Sequence, residues 1–277
     1  MSRATRLEAT LLPGGRELLE VHARELPQRD DLCGAFCGAL ALRAAGIDGL
    51  AGGPADQDAV ALAAGSIVSG AREAGTLPHG EVGRRDYRLS LPQVEDSAMS
   101  GTTAAGVIVA VEGLSDGRLA AIPLAGPWTA AALDSVFDLA AGLPHEVTLV
   151  ANLATRHLWG SRPSAEQLLA YLLDGECSGP PPDWDVGHFA CVVGRVRGPA
   201  GRLYALADTY PSLGTRGVHL QPGERLAAAI DRPDMPAGGV IVVVAADDRP
   251  AVRAGAAEAG LEERVWDNGT ATRETLG

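Results

Sequence analysis

Glycine and proline interrupt this chain so often that they decide what it can become: 35 Gly and 18 Pro among 277 residues cut it into short apolar segments. None of these reaches the roughly 18 residues that a membrane-spanning helix needs. No membrane partner is therefore expected, and short helices and strands packed in layers remain. With 46% hydrophobic and 21% charged residues the chain can bury a large core. One domain over residues 1–277 is expected, with a helical part at about 10–75, an irregular stretch at 70–103 and a sheet part at about 104–266. The opening MSRATRLEATLLPGGRELLE has acidic residues and a Pro-Gly-Gly break where an export signal would be continuously apolar, which points to the cytoplasm.

The charge balance, 35 acidic against 23 basic residues and a net −12, repels phosphate backbones and makes nucleic acid an unexpected partner. Every basic residue is arginine, which with the abundant Ala marks codon bias, so Ala enrichment is weak evidence for helix. The four cysteines, Cys33, Cys37, Cys177 and Cys191, are too few for a disulfide framework in so long a chain.

Between the breaks, Arg16–Leu26, Cys33–Ala45, Asp56–Val68, Trp128–Ala141, Ser164–Leu173 and Arg249–Ala259 read as helices. The β-branched run Val107–Val111 and Leu119–Leu124, separated by Asp116-Gly117, read as a hairpin. His145–Leu153, Gly239–Ala245 and Leu261–Trp266 read as further strands, and the last ten residues as frayed. The clearest hairpin joins Gly187–Arg197 to Arg202–Asp208 through Gly198-Pro199-Ala200-Gly201. The expected class is α+β, or mixed α/β.

Three segments carry chemistry: LPQRDDLCGAFCGALAL around Cys33, VGHFACVVG around His188 and LYALADTYPS around Asp208. They supply a thiol at the start of an apolar helix, a histidine entering a strand and a carboxylate leaving the next strand. Thiol catalysis uses those groups: a helix N-terminus favours thiolate, an imidazole takes and returns the proton, and a carboxylate orients the imidazole. Gln28 is placed to offer an amide to an oxyanion beside the Cys33 backbone N–H. A two-residue turn would set Asp208 opposite Cys191 and on the face away from His188, so the triad requires a bulge or a longer loop. Asn152 is a fallback orienting group.

This arrangement resembles the papain-like cysteine peptidases, and among them the C39-like peptidases associated with bacteriocin leader cleavage. The matching pieces are Gln28-x4-Cys33-Gly34 opening a helix, Gly187-His188-Phe189 followed by an apolar strand, and Asp208 closing the next strand, in that order. The resemblance implies a papain-like fold and hydrolysis of a peptide or amide bond through a thioester on Cys33, with His188 as base and acid, Asp208 orienting it and Gln28 at the oxyanion. An acyltransferase or amide-forming enzyme shares that intermediate, and a degenerate peptide-binding scaffold is the non-catalytic alternative.

Cys37, one helical turn deeper, is the rival nucleophile or a core residue; the Cys33-x3-Cys37 spacing does not suit zinc, and no metal is expected. Gly34 and Gly38 give the helix a flat face for a strand to approach. Phe36, Phe189 and Trp184, the last in Pro180-Pro181-Pro182-Asp183-Trp184-Asp185, are candidate substrate contacts or packing residues. His22, His79, His145, His157 and His219 read as surface or structural. No phosphate loop, dinucleotide fingerprint, zincin or hydrolase-elbow motif occurs, so no cofactor is expected.

Overall fold

The computed structural model describes residues 7–71 and 77–272. In chain order its elements begin β1 (Glu8–Leu11), α1 (Gly15–Glu25), α2 (Cys33–Ala44), β2 (Gly49–Leu50), β3 (Gly53–Pro54), α3 (Gln57–Ala64), β4 (Val68–Ser69) and β5 (Gln93–Val94). They continue α4 (Ala104–Leu114), β6 (Leu119–Ala125), α5 (Ala130–Ala141), β7 (Thr148–Ala154), α6 (Ala165–Asp174), β8 (Gly187–Arg197) and β9 (Arg202–Ala207). The last are β10 (Val218–Pro222), α7 (Gly223–Asp231), β11 (Gly239–Ala245), α8 (Arg249–Glu258) and β12 (Glu262–Glu263).

An eight-stranded sheet runs β10-β9-β8-β7-β11-β6-β12, and β1 pairs with the far half of β8. Its described pairings are all antiparallel. Alternation along each strand feeds two cores, because successive side chains leave opposite faces. Val150, Cys191 and Ile241 pack with Phe36, Leu40, Val60 and Val107 of α2, α3 and α4. Leu149, Val192 and Val242 pack with Leu133, Phe137, Leu226 and Val252 of α5, α7 and α8 on the opposite face. A sheet covered on both sides has buried strands, and β6 and β7 are buried along their whole length. The mixed α/β class is thus present, and among the described residues no helix is long and apolar enough to cross a membrane.

Several local expectations are corrected. Val107–Val111 lies inside α4 rather than in a strand: the Thr103 side chain accepts from the Gly106 N–H at 2.9 Å, and both Val107 and Val111 are buried in the helical core. N-capping and burial outweigh the strand preference of the valines. Asp116 and Gly117 do form a turn, with φ of 52° and 72°, but it joins α4 to β6. The Asp56–Val68 helix stops at Ala64, where Gly65 takes φ 68°, and Val68 enters β4. The 77–101 stretch is largely irregular, apart from β5 and a short turn of 3-10 helix at Ser97–Met99. Residues 72–76 of the expected irregular region lie outside the described residues. So do residues 273–277 of the expected frayed end, whereas Ala271 is buried and its N–H reaches the Met99 carbonyl at 3.1 Å. The expected Leu261–Trp266 strand shrinks to Glu262–Glu263, and β1, β2, β3, β10 and α7 have no counterpart among the expected elements.

Candidate active site

Cys33 is the first residue of α2 and is half-buried. The loop before it is fixed from several directions. Gln28 N–H donates to the Thr209 carbonyl at 3.0 Å, Asp30 Oδ1 accepts from Arg84 N–H at 2.8 Å, and Asp31 accepts from Ser69 N–H at 2.7 Å and Ser100 Oγ at 3.0 Å. Asp31 itself turns through φ 66°. Among the described residues no side chain caps α2, so its first N–H groups stay available beside the thiol. Gly34 lets α2 lie close to β8: a Cβ there would sit 3.2 Å from the Phe189 ring and 3.0 Å from Thr102.

His188 enters at the start of β8, and the register of the hairpin decides what it meets. At the turn Arg197 pairs with Arg202, and Pro199-Ala200 makes a tight connection closed by Gly198 N–H to the Gly201 carbonyl at 2.9 Å. A shift between Val192 and Gly194 then changes the pairing, so that Cys191 faces Ala207. The next residue, Asp208, therefore falls opposite Ala190, two residues from His188 and on its face. Its Oδ1 accepts from His188 Nε2 at 2.8 Å.

Asp208 holds more than one imidazole. Oδ2 accepts from His219 Nε2 at 3.1 Å, and His219 Nδ1 accepts in turn from Gln221 Nε2 at 3.0 Å. Gln221 is locked by both backbone groups of Trp159, at 2.8 and 2.9 Å. The Thr209 N–H also donates to Oδ1 at 2.7 Å, and His22 Nε2 donates to the Asp208 carbonyl at 2.5 Å. Cys33 borders the same cleft as His188 and lies close enough to raise the imidazole's pKa, and with Nε2 turned to Asp208 it is Nδ1 that remains for a thiol.

Burial alone would keep His188 neutral. The charge and hydrogen bond of Asp208, and then Cys33, outweigh it and push its pKa up to about 10. Burial likewise opposes the Asp208 carboxylate, but His188 and His219 hold its pKa well below the usual range. His22 is shifted down by burial despite its bond to Asp208.

The site opens into a cleft of about 1020 Å³ bordered by Gln28, Cys33, Trp184, His188, Tyr210 and Arg232. Trp184 stands edge-on to the His188 ring at 4.9 Å between centroids and to Tyr210 at 5.6 Å. Its segment is pinned because the Thr155 hydroxyl donates to the Trp184 carbonyl at 3.0 Å and accepts from Val186 N–H at 2.9 Å. Glu81, Val82, Arg85 and Ser100, from the irregular stretch, also line the cleft. Among the described residues no three His, Cys, Asp or Glu side chains are arranged to hold a metal ion.

A family model covers residues 12–267, nearly the whole described chain, and its description is a family of unknown function, DUF6885. The chain belongs to DUF6885. No curated protein matches it.

In this DUF6885 chain, Cys33, His188 and Asp208 come together and Gln28 borders the same cleft. The Gln28 side-chain oxygen is buried with no hydrogen-bond partner among the described residues. Trp184 and Phe189 line the cleft, but Phe36 does not: it is fully buried, its ring edge-on to His22 at 6.0 Å, and its expected substrate contact is replaced by core packing. Cys37 is fully buried beside Cys191, and burial pushes its thiol up. Asn152 is not the orienting group, since its Nδ2 donates to the His188 carbonyl at 3.2 Å and its Oδ1 accepts from Arg232 and Trp266. Gly38 serves helix packing rather than the strand, its Cβ position lying 2.9 Å from Val60. His22 and His219, read as surface or structural, are buried on Asp208, whereas His79 is exposed and His145 and His157 pair with Asp248 and Asp234. The missed signal for His219 was Val218-His219-Leu220-Gln221: two polar residues at the strand period, facing inward together.

Proposed function

We propose that this chain is a cysteine-nucleophile enzyme that cleaves or exchanges a peptide or amide bond through a thioester, in the manner of the papain-like, C39-like peptidases its motifs resemble. The observation that carries the reading is the bond between His188 Nε2 and Asp208 at 2.8 Å, with Cys33 bordering the same cleft as His188. Cys33 Sγ gives its proton to His188 Nδ1 and attacks the carbonyl carbon. The tetrahedral oxyanion accepts hydrogen bonds from the Cys33 N–H and the Gln28 side-chain amide. His188 returns the proton to the leaving nitrogen as the C–N bond breaks, and the acyl group remains on sulfur. Water, activated by the same imidazole, then attacks the thioester and frees the acid. Asp208 stabilises the imidazolium and holds the ring, and Trp184 covers it from bulk water.

A cleft of about 1020 Å³ holds more than an acyl group, which supports acyl transfer to a second nucleophile as the alternative. Intact-mass analysis after exposure to a small activated acyl ester tests the reading. The expected result is one hydroxylamine-sensitive adduct mapped to Cys33, absent in Cys33→Ala, and its conversion to an amide on adding an amine would favour transfer. Acylation confined to the exposed Cys177, or none, would leave a non-catalytic binding scaffold as the better description.

A further inference from the structure

Arg232 is the unexpected cation of the cleft. It follows α7 in the left-handed region, at φ 49°, is only 3% exposed, and yet borders the cleft. Its Nη1 donates to Asn152 Oδ1 at 2.7 Å, its Nη2 lies 3.1 Å from where a Cβ of Gly187 would be, and its Nε is buried with no hydrogen-bond partner among the described residues. The guanidinium thus stands beside the residue preceding His188 and borders the same cleft as Cys33.

Its isolation runs against the composition. In a chain with 35 acidic and 23 basic residues, Arg29, Arg43, Arg84, Arg88 and Arg195 each pair with a carboxylate. Arg232 is more buried than these, and among the described residues it has no ion-pair partner. The nearby Asp234 is engaged by Arg156 and His157, both at 3.0 Å. A buried guanidinium without a counter-ion is costly, and Asn152 supplies a dipole rather than a charge. With Nη1 on Asn152 and Nε closed inside the fold, Nη2, on the Gly187 side, is the donor left to meet an anion in the cleft.

We propose that Arg232 is a carboxylate receptor, and that the cleft takes amide substrates bearing a free carboxylate within about a residue of the carbonyl attacked by Cys33. The proposal rests on the Cys33 reading and names the substrate class of that site. A peptide's C-terminal carboxylate, or an acidic side chain next to the scissile bond, would supply the group.

Two alkylating agents that differ in charge test it without knowledge of the substrate. The rates of Cys33 modification by iodoacetate and by iodoacetamide are measured in the wild type, Arg232→Gln and Arg232→Lys, with the labelled residue mapped by mass. The ratio of iodoacetate to iodoacetamide rate is expected to fall on the order of tenfold in Arg232→Gln, as removal of one nearby charge at intermediate screening implies, and to be largely kept in Arg232→Lys. An unchanged ratio with Cys33 still reactive to iodoacetamide would overturn the receptor and leave the nucleophile standing. Wild-type Cys33 inert to both agents would overturn the nucleophile and the receptor with it. Should Arg232→Gln fail to fold, wild-type protection decides: N-acetylglycine is expected to slow iodoacetamide labelling of Cys33 more than N-acetylglycinamide, and equal protection would overturn the proposal.

Discussion

Asp208 carries the heaviest load of any single residue, accepting from His188 on one oxygen and His219 on the other while almost fully buried. An asparagine there presents at most one acceptor oxygen and a donor that meets an imidazole N–H. Asp208→Asn is therefore expected to slow Cys33 acylation by about two orders of magnitude or more, because the imidazole loses its orienting charge. It is also expected to cost roughly 3 kcal/mol of stability, read from urea midpoints, because a buried imidazolium is left unpaired. The two cysteines of α2 separate function from packing. Cys33→Ala is expected to abolish acylation with little change in melting temperature, whereas Cys37→Ala should retain acylation and lose about 1 kcal/mol to a small cavity. The reverse pattern would move the nucleophile to Cys37. Cys33 and His188 were legible because each opens an element, where local sequence marks position. His22 was not, since its partner lies 186 residues away and nothing in its own helix announces it.

Among the elements, the hairpin β8–β9 shows what local sequence leaves out. Its strands and turn were plain from the apolar runs and Gly198-Pro199-Ala200-Gly201, but the shift between Val192 and Gly194 that turns Asp208 toward His188 was legible only as a requirement. A Cβ at Gly194 would lie 2.9 Å from both the Thr10 carbonyl and the Leu11 side chain, so β1 presses on β8 immediately beyond the shift. Helix α4 was misread for a related reason: its valines favour a strand in isolation, and only the cap at Thr103 and the cover of α2 and α3 decide otherwise. The approach of α2 to β8 is the other geometric requirement. Gly34→Val would drive a branched side chain into Thr102, Phe189 and Val107, and is expected to separate Cys33 from His188. The expected outcome is a folded protein by circular dichroism whose acylation falls at least about tenfold, from the sensitivity of catalysis to small displacements. Wild-type acylation in that variant would show that the close approach is not needed.

Across the whole molecule, the mixed α/β class and the sheet-rich second half were readable from segment length and alternation. The two-sided covering of the sheet was less so, because α2, α3 and α4, apolar nearly all round, carry little amphipathic signal. The buried ionisable groups give the fold a pH dependence whose sign can be stated. His188 titrates at about 10 when folded against 6.5 in its ordinary state, so the stability it contributes with Asp208, Cys33 and His219 around it is fully present below 6.5 and lost as pH rises toward 10. His22 is shifted the other way, so its contribution falls as pH drops below 6.5. The lowered Asp208 adds a further loss in acid, below its ordinary value of 3.8. Melting temperature is expected to peak near pH 6.5 and to fall by roughly several degrees toward pH 10, the alkaline loss shrinking in His188→Gln. An identical alkaline slope in that variant would show that His188 is not the group responsible.

The pairing of Cys33 with His188 is the claim on which the rest depends, and the pH dependence of iodoacetamide alkylation, with the modified cysteine mapped, tests it most directly. Cys33 is expected to react at about pH 5.5, where an ordinary thiol is inert, and to lose that acid-side reactivity in His188→Gln while Cys177 alkylates only at alkaline pH in both proteins. A wild-type Cys33 that reacts only at alkaline pH, or one whose profile is unchanged in His188→Gln, would contradict the account.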